Sequence, residues 1–158
     1  QPLTAVVHLV GGIKAGESLE NIEVPVLERM IRINVTTTFN IMKATLPAMK
    51  RSGGGSFVTI GAKSVLHPTP DRAVYSMAKA AVVSLTLSVA EEGRAHGIRA
   101  NTILPSIINT PENLEWATEA EARKWPTRED IAKAIADLID PACPVNGAVI
   151  PIYGQLGF

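Results

Sequence analysis

The chain of 158 residues has a single cysteine, Cys143. One thiol excludes an internal disulfide framework and fits a reducing compartment, so a cytoplasmic location is expected. The sequence has no surplus of either charge: fifteen Lys and Arg balance fifteen Asp and Glu. It lacks the basic footprint that nucleic acid or anionic lipid selects, and neither is expected as a partner. No apolar run is expected to reach the length a bilayer demands. The apolar start at residues 3–10 lacks the charged flank and cleavage signal of a secretory leader. The three histidines, His8, His67 and His96, are scattered, so no metal site is expected. No Gly-x-Ser-x-Gly elbow supports nucleophilic hydrolysis, and in Gly61-Ala62-Lys63-Ser64 the Gly-Lys-Ser adjacency of a phosphate loop is broken.

What is present is an alternation of apolar runs. Hydrophobic residues make up 46% and charged residues 19%, the balance of a folded α/β domain rather than a disordered chain. Residues 3–10, 56–60, 98–104 and 145–152 read as buried strands, the third stopped by Pro105. Between them, Leu27, Met30, Ile31, Val35, Phe39, Met42 and Leu46 recur at helical spacing, predicting one long helix over 26–49 that Pro47 should kink or end. A second long helix is predicted over 73–95, closed by Gly93 and Gly97. Residues 106–126 read as irregular with a short helix near 114–122, and Thr127 as the N-cap of a helix to residue 139. Strands alternating with helices imply a single unit: a three-layer, doubly wound parallel sheet of the Rossmann-like class. Its first strand would lie at an edge, where something should cover it.

Tyr75-Ser76-Met77-Ala78-Lys79 sets a phenol and an ammonium four residues apart at the start of a helix, on one face. A neighbouring cation favours phenolate and should lower the tyrosine pKa, which suits proton exchange with a developing alkoxide.

In its ordered motifs the chain resembles the short-chain dehydrogenase/reductase family, from that family's middle to its C-terminus. Asn34-Val35-Thr36-Thr37-Thr38-Phe39 is similar to the motif carrying the active-site asparagine, and Phe57-Val58-Thr59-Ile60 to the strand leading into the catalytic loop. Tyr75 and Lys79 match the Tyr-x-x-x-Lys signature, and residues 98–105 and 146–150 resemble the next two strands. The resemblance implies NAD or NADP as cofactor and a small carbonyl or imine compound as substrate. It implies Tyr75 as proton donor, Lys79 on the cofactor ribose and Asn34 positioning a water that links Lys79 to solvent. It also implies cofactor contacts from Gly11, Gly12, Tyr75, Lys79, Pro105, Ser106 and Thr110, and assembly into a homo-dimer or tetramer.

The departures are as specific as the matches. Thirteen positions before Tyr75, where the family has a serine, stands Ala62; Ser64 is close but out of register. The family's Asn-Asn-Ala-Gly turn reads Leu9-Val10-Gly11-Gly12. Gly61-Ala62-Lys63, Thr69-Pro70 and the residues around Tyr75 are similar to the serine-lacking dihydropteridine reductase branch. A non-catalytic fold-mate or half-domain serving as a binding or scaffolding subunit is the competing expectation. The N-terminal dinucleotide-binding βαβ units, with their glycine-rich loop, are not in the sequence. The chain also opens on Gln1-Pro2 without methionine, and a missing N-terminal half is therefore expected.

Overall fold

The computed structural model describes residues 2–156. Its four strands, β1 (Ala5–His8), β2 (Gly55–Ile60), β3 (Ile98–Pro105) and β4 (Val149–Ile152), form one parallel sheet in that spatial order. The α-helices are α1 (Val24–Met30), α2 (Thr37–Arg51), α3 (Ala73–Gly93), two single turns, α4 (Pro111–Leu114) and α5 (Glu119–Ala122), and α6 (Arg128–Ile139).

Alternation along β2 assigns the layers, because successive side chains leave a strand on opposite faces. Phe57 packs with Met42 and Met49 of α2 and with Val89 and Ala90 of α3. Val58 packs on the other face with Ile103 and with Ile131 and Leu138 of α6. Polar side chains follow the same parity: Thr59 Oγ1 meets Thr86 Oγ1 of α3 at 2.8 Å, and Ser56 Oγ donates to Leu138 O of α6 at 2.8 Å. The sheet is thus covered on both sides, as its apolar strands require. β1 lies at an edge and pairs only with β2 among the described residues.

Local signals explain most boundaries. Thr127 accepts from Asp130 N while Asp130 Oδ2 accepts from Thr127 N, a reciprocal cap that opens α6 where the sequence predicts it. After a 3₁₀ turn beyond α3, Gly97 at φ 68° takes the left-handed conformation that turns the chain into β3.

Four expectations need correction. The helix over 26–49 is not uniform: between α1 and α2 the backbone winds as a π-helix over Ile31–Thr36. Pro47 does not end it, and α2 runs on to Arg51. Met49, fully buried between sheet and helices, anchors the last turn there, and Ser52 Oγ ties Ala48 O to the backbone N–H of Leu3. Residues 106–126 hold two single-turn helices, capped by Thr110 and Thr118, and Pro105 is the last residue of β3 rather than a stop before it. Finally, Ala73–His96 is long and apolar enough to cross a membrane by length and composition, contrary to the expectation that no run is. Its inner face is occupied by the fold, with Ala78, Lys79, Val82, Thr86 and Ala90 all buried.

Candidate active site

The candidate residues gather beyond the carboxyl ends of the strands, where parallel α/β sheets place their ligand crevices. Gly11 and Gly12 follow β1, Ala62 follows β2, and Ser106 follows β3.

Asn34 lies inside the π-helical turn and is fully buried. A π turn adds a residue and disturbs the carbonyl ladder. Threonine hydroxyls repair it: Thr37 Oγ1 donates to Ile33 O at 2.8 Å and Thr38 Oγ1 to Asn34 O at 2.6 Å. The Asn34 side chain reaches across to the loop after β1. Its Nδ2 donates to Gly12 O at 3.0 Å and Met30 O at 3.1 Å, and its Oδ1 accepts from Gly12 N at 3.1 Å. Asn34 therefore clamps the Gly11–Gly12 turn, a task its resemblance to a water-positioning asparagine does not convey. Its burial also removes Asn34-Val35-Thr36 as a glycosylation sequon in the folded chain. Asn34→Ala should cost roughly 2–4 kcal/mol, since it leaves buried backbone groups without partners; urea unfolding of the full-length protein measures this.

Gly11 sits against both polar side chains of the site. A Cβ there would lie 2.7 Å from Asn34 Oδ1 and 3.0 Å from Lys79 Nζ, so only glycine lets the backbone approach this closely.

Lys79, on α3, is 7% exposed, and its Nζ donates to Ile60 O at 2.9 Å. Burial lowers its pKa to about 8. Tyr75, one turn earlier, packs against Met30, Val74 and Ala78. Here the expected sign is reversed: burial raises the Tyr75 pKa, and the opposing cation is Arg72, not Lys79. Desolvation by the apolar cluster outweighs the nearby positive charge.

Ala62 is buried and supplies no hydroxyl; Ser64, two residues on in a 3₁₀ turn, is buried with its Oγ on no protein partner among the described residues. Ser106 N donates to Ile152 O at 3.1 Å, and Ser106 Oγ to Tyr153 O at 3.1 Å. Thr110 caps α4, its Oγ1 accepting from Asn113 N at 3.4 Å. The Glu112 carboxylate is held below the usual carboxylate range by its own backbone N–H and then by a bond from the Thr110 hydroxyl. Trp125 is a buried packing anchor beside the exposed Trp116, ring centroids 5.3 Å apart. Among the described residues no cluster of His, Cys, Asp and Glu could hold a metal.

Two features escape a reading of the sequence. Lys63 Nζ lies 4.8 Å from the Tyr153 ring centroid, and His67 meets the same ring edge-on at 5.8 Å, a group assembled from two distant segments. His8, at the end of β1, is buried beside the Lys79 cation. An imidazole in an otherwise apolar strand is the one signal that could have flagged it.

The arrangement suits a nicotinamide nucleotide on structural grounds. Gly11 leaves open backbone where a side chain would intrude, and Lys79 offers buried donors with one protein acceptor among the described residues. A parallel three-layer α/β sheet with a tyrosine and lysine one turn apart at its carboxyl edge defines a class of oxidoreductase folds. The family model described as short chain dehydrogenase matches residues 1–121, and the chain belongs to that family. It is 35% identical over 98% of its length to the inactive 2-(S)-hydroxypropyl-CoM dehydrogenase 2 of Xanthobacter autotrophicus, covering 74% of that protein. It is 31% identical over 92% of its length to 2-(S)-hydroxypropyl-CoM dehydrogenase 3 of the same organism, covering 63% of it. A short-chain type dehydrogenase/reductase from Mycobacterium ulcerans superposes with a TM-score of 0.89 at 28% identity, over 98% of this chain and 60% of that one. ElxO with NADP bound superposes at 0.88 and 26% identity, over 96% of this chain and 66% of that one. The chain thus spans about three-fifths to three-quarters of the length of these relatives.

Proposed function

We propose that the full-length protein is an NAD- or NADP-dependent oxidoreductase acting on a small carbonyl or activated imine compound, with Tyr75 as the proton donor. The observation that carries this reading is the placement of Lys79, buried and facing the Gly11–Gly12 turn one helical turn after Tyr75. Bound nicotinamide supplies or accepts the hydride. The chain's own residues do the rest. Tyr75 Oη donates a proton to the substrate oxygen or nitrogen in reduction and accepts it in oxidation. Lys79 binds the ribose hydroxyls and holds the phenol in place. Asn34 keeps the Gly11–Gly12 backbone in position, while Pro105, Ser106 and Thr110 would line the nicotinamide side, the Thr110 hydroxyl turning from Glu112 toward the cofactor. The NADP bound to ElxO supports this cofactor class. With Ala62 in place of a polarising serine, an already activated acceptor, such as the quinonoid dihydropterin of dihydropteridine reductases, fits better than a simple ketone.

A non-catalytic binding or scaffolding role is the second reading. Ala62 favours it, as does the relative whose name includes the word inactive, 35% identical to this chain. Titration of the full-length protein with NADH and NADPH, followed by turnover on a panel of carbonyl and imine acceptors, separates the two. Binding with turnover that is lost in Tyr75→Phe supports the enzyme; absence of both supports the second reading.

A homo-dimer or tetramer is the expected assembly. The π turn, α2 and α3 border a groove of about 440 Å³ lined by Val35, Thr36, Phe39, Ala81, Leu85 and two serines of α3, and Phe39 is 47% exposed there. Phe39→Arg should shift the full-length protein toward monomer in sedimentation velocity, because an interface core does not tolerate an unpaired charge.

A further inference from the structure

His8 is 8% exposed, and its Nε2 is buried with no protein hydrogen-bond partner among the described residues. Native proteins rarely leave such a group unsatisfied. Its direction is fixed by the sheet: His8 pairs in register with Thr59, and Thr59 bonds Thr86 of α3, so the imidazole leaves β1 on the α3 face. On that same face Lys79 Nζ bonds the carbonyl of Ile60, the residue after Thr59. Burial, first, and the Lys79 cation together hold the imidazole below its ordinary titration range. The ammonium carries three donors and has Ile60 O as its one protein acceptor among the described residues. Asn34, the other polar side chain beside it, has both amide hydrogens on backbone carbonyls and accepts from Gly12 N. A donor with spare hydrogens and an acceptor with none thus lie buried on the same side of the sheet.

We propose that His8 is a positioning residue for Lys79: neutral and protonated on Nδ1, it accepts at Nε2 a hydrogen bond relayed from the Lys79 ammonium through one bridging water. A buried polar site with several partners is where such a water is held. The acceptor favours the charged form of Lys79 and fixes the direction of its remaining donors, so that one stays aimed at the site. The inference rests on the oxidoreductase reading for its consequence, though not for its geometry.

Two measurements on the full-length protein decide it. With ¹⁵N-labelled histidine at about pH 8, where even an ordinary imidazole of pKa about 6.5 is neutral, His8 should show the Nδ1–H tautomer with an accepting Nε2, and Lys79→Met should move its Nε2 resonance. A protonated Nε2, or a resonance indifferent to Lys79→Met, overturns the proposal. In turnover, His8→Leu should move the alkaline limb of the kcat/KM profile to lower pH by about one unit with KM unchanged. His8→Gln, which keeps an acceptor at that reach and is the gentler variant for folding, should restore it. An unmoved limb in a folded His8→Leu protein also overturns it. If Tyr75→Phe leaves turnover intact, the oxidoreductase reading falls, while the resonance test still judges the His8–Lys79 contact.

Discussion

In the full-length protein, Tyr75→Phe is expected to lower turnover by roughly 10²–10⁴-fold, the usual contribution of a positioned general acid, while NADH or NADPH affinity changes little. The phenylalanine ring keeps the contacts with Met30, Val74 and Ala78 and removes only the hydroxyl, so stability should move by less than about 1 kcal/mol. kcat and kcat/KM should fall together, as when an interaction made only in the transition state is lost. The pKa direction adds a pH signature. Burial raises Tyr75, with Arg72 opposing, so the phenol keeps its proton through neutral pH. It is then ready as a donor and poor as a base: reduction should hold across neutral pH, and oxidation should rise toward alkaline pH. Initial rates in both directions below the Lys79 pKa of about 8 check this, and an oxidation rate that falls as pH rises within that range would contradict it.

Lys79→Met should remove activity and yet stabilise the fold. Burial lowers Lys79 from 10.5 to about 8, a difference worth roughly 3 kcal/mol at about 1.4 kcal/mol per unit. The sign follows from proton counting. Between pH 8 and 10.5 the unfolded chain holds a proton that the folded chain has released, so stability rises with pH across that window. Below about 8 both states are protonated and the folded state bears the whole cost of the buried ammonium. Methionine keeps an apolar stem without the charge, and gives up the bond to Ile60 O along with the relayed contact to His8. At neutral pH the variant should therefore be more stable by about 1–3 kcal/mol, with the gain shrinking as pH rises from 8 to 10.5. Thermal or urea unfolding of the full-length protein at pH 7 and pH 10 measures both parts. Such a gain is what a charge kept for chemistry rather than for the fold predicts.

The layers of the fold were legible because they depend on apolar parity. The run at β2 could be buried on both faces, and Phe57 and Val58 indeed meet helices on opposite sides. The Thr127 cap was legible because its chemistry is local. The π turn at Ile31–Thr36 was not, since the apolar positions on either side of it are too few to define two separate phases in the sequence. Pro47 misled because its effect on a helix depends on what anchors the following turn, and that anchor, Met49, is tertiary. At the site, the four-residue spacing of Tyr75 and Lys79 gave their shared face but not their electrostatics. The sign of the Tyr75 shift comes from burial against a cluster that includes Met30, forty-five positions away in sequence. Asn34 was found as a residue but not as a clamp, because Gly12 is its partner only through folding.

The π turn also fixes the rotational phase of everything after it. Each helical residue turns the chain by about 100° and advances it by about 1.5 Å. Deleting one residue between Ile31 and Thr36 would let the backbone relax into regular α-helix, locally cheaper than what it replaces. Either Asn34 or the Met42 and Met49 stripe would then point the wrong way, because no single phase serves both. The extra residue acts as a spacer between two fixed orientations, one set by the sheet and the other by the loop after β1. Length changes in this segment should therefore be far less tolerated than substitutions, an asymmetry that a deletion series set beside point variants would expose.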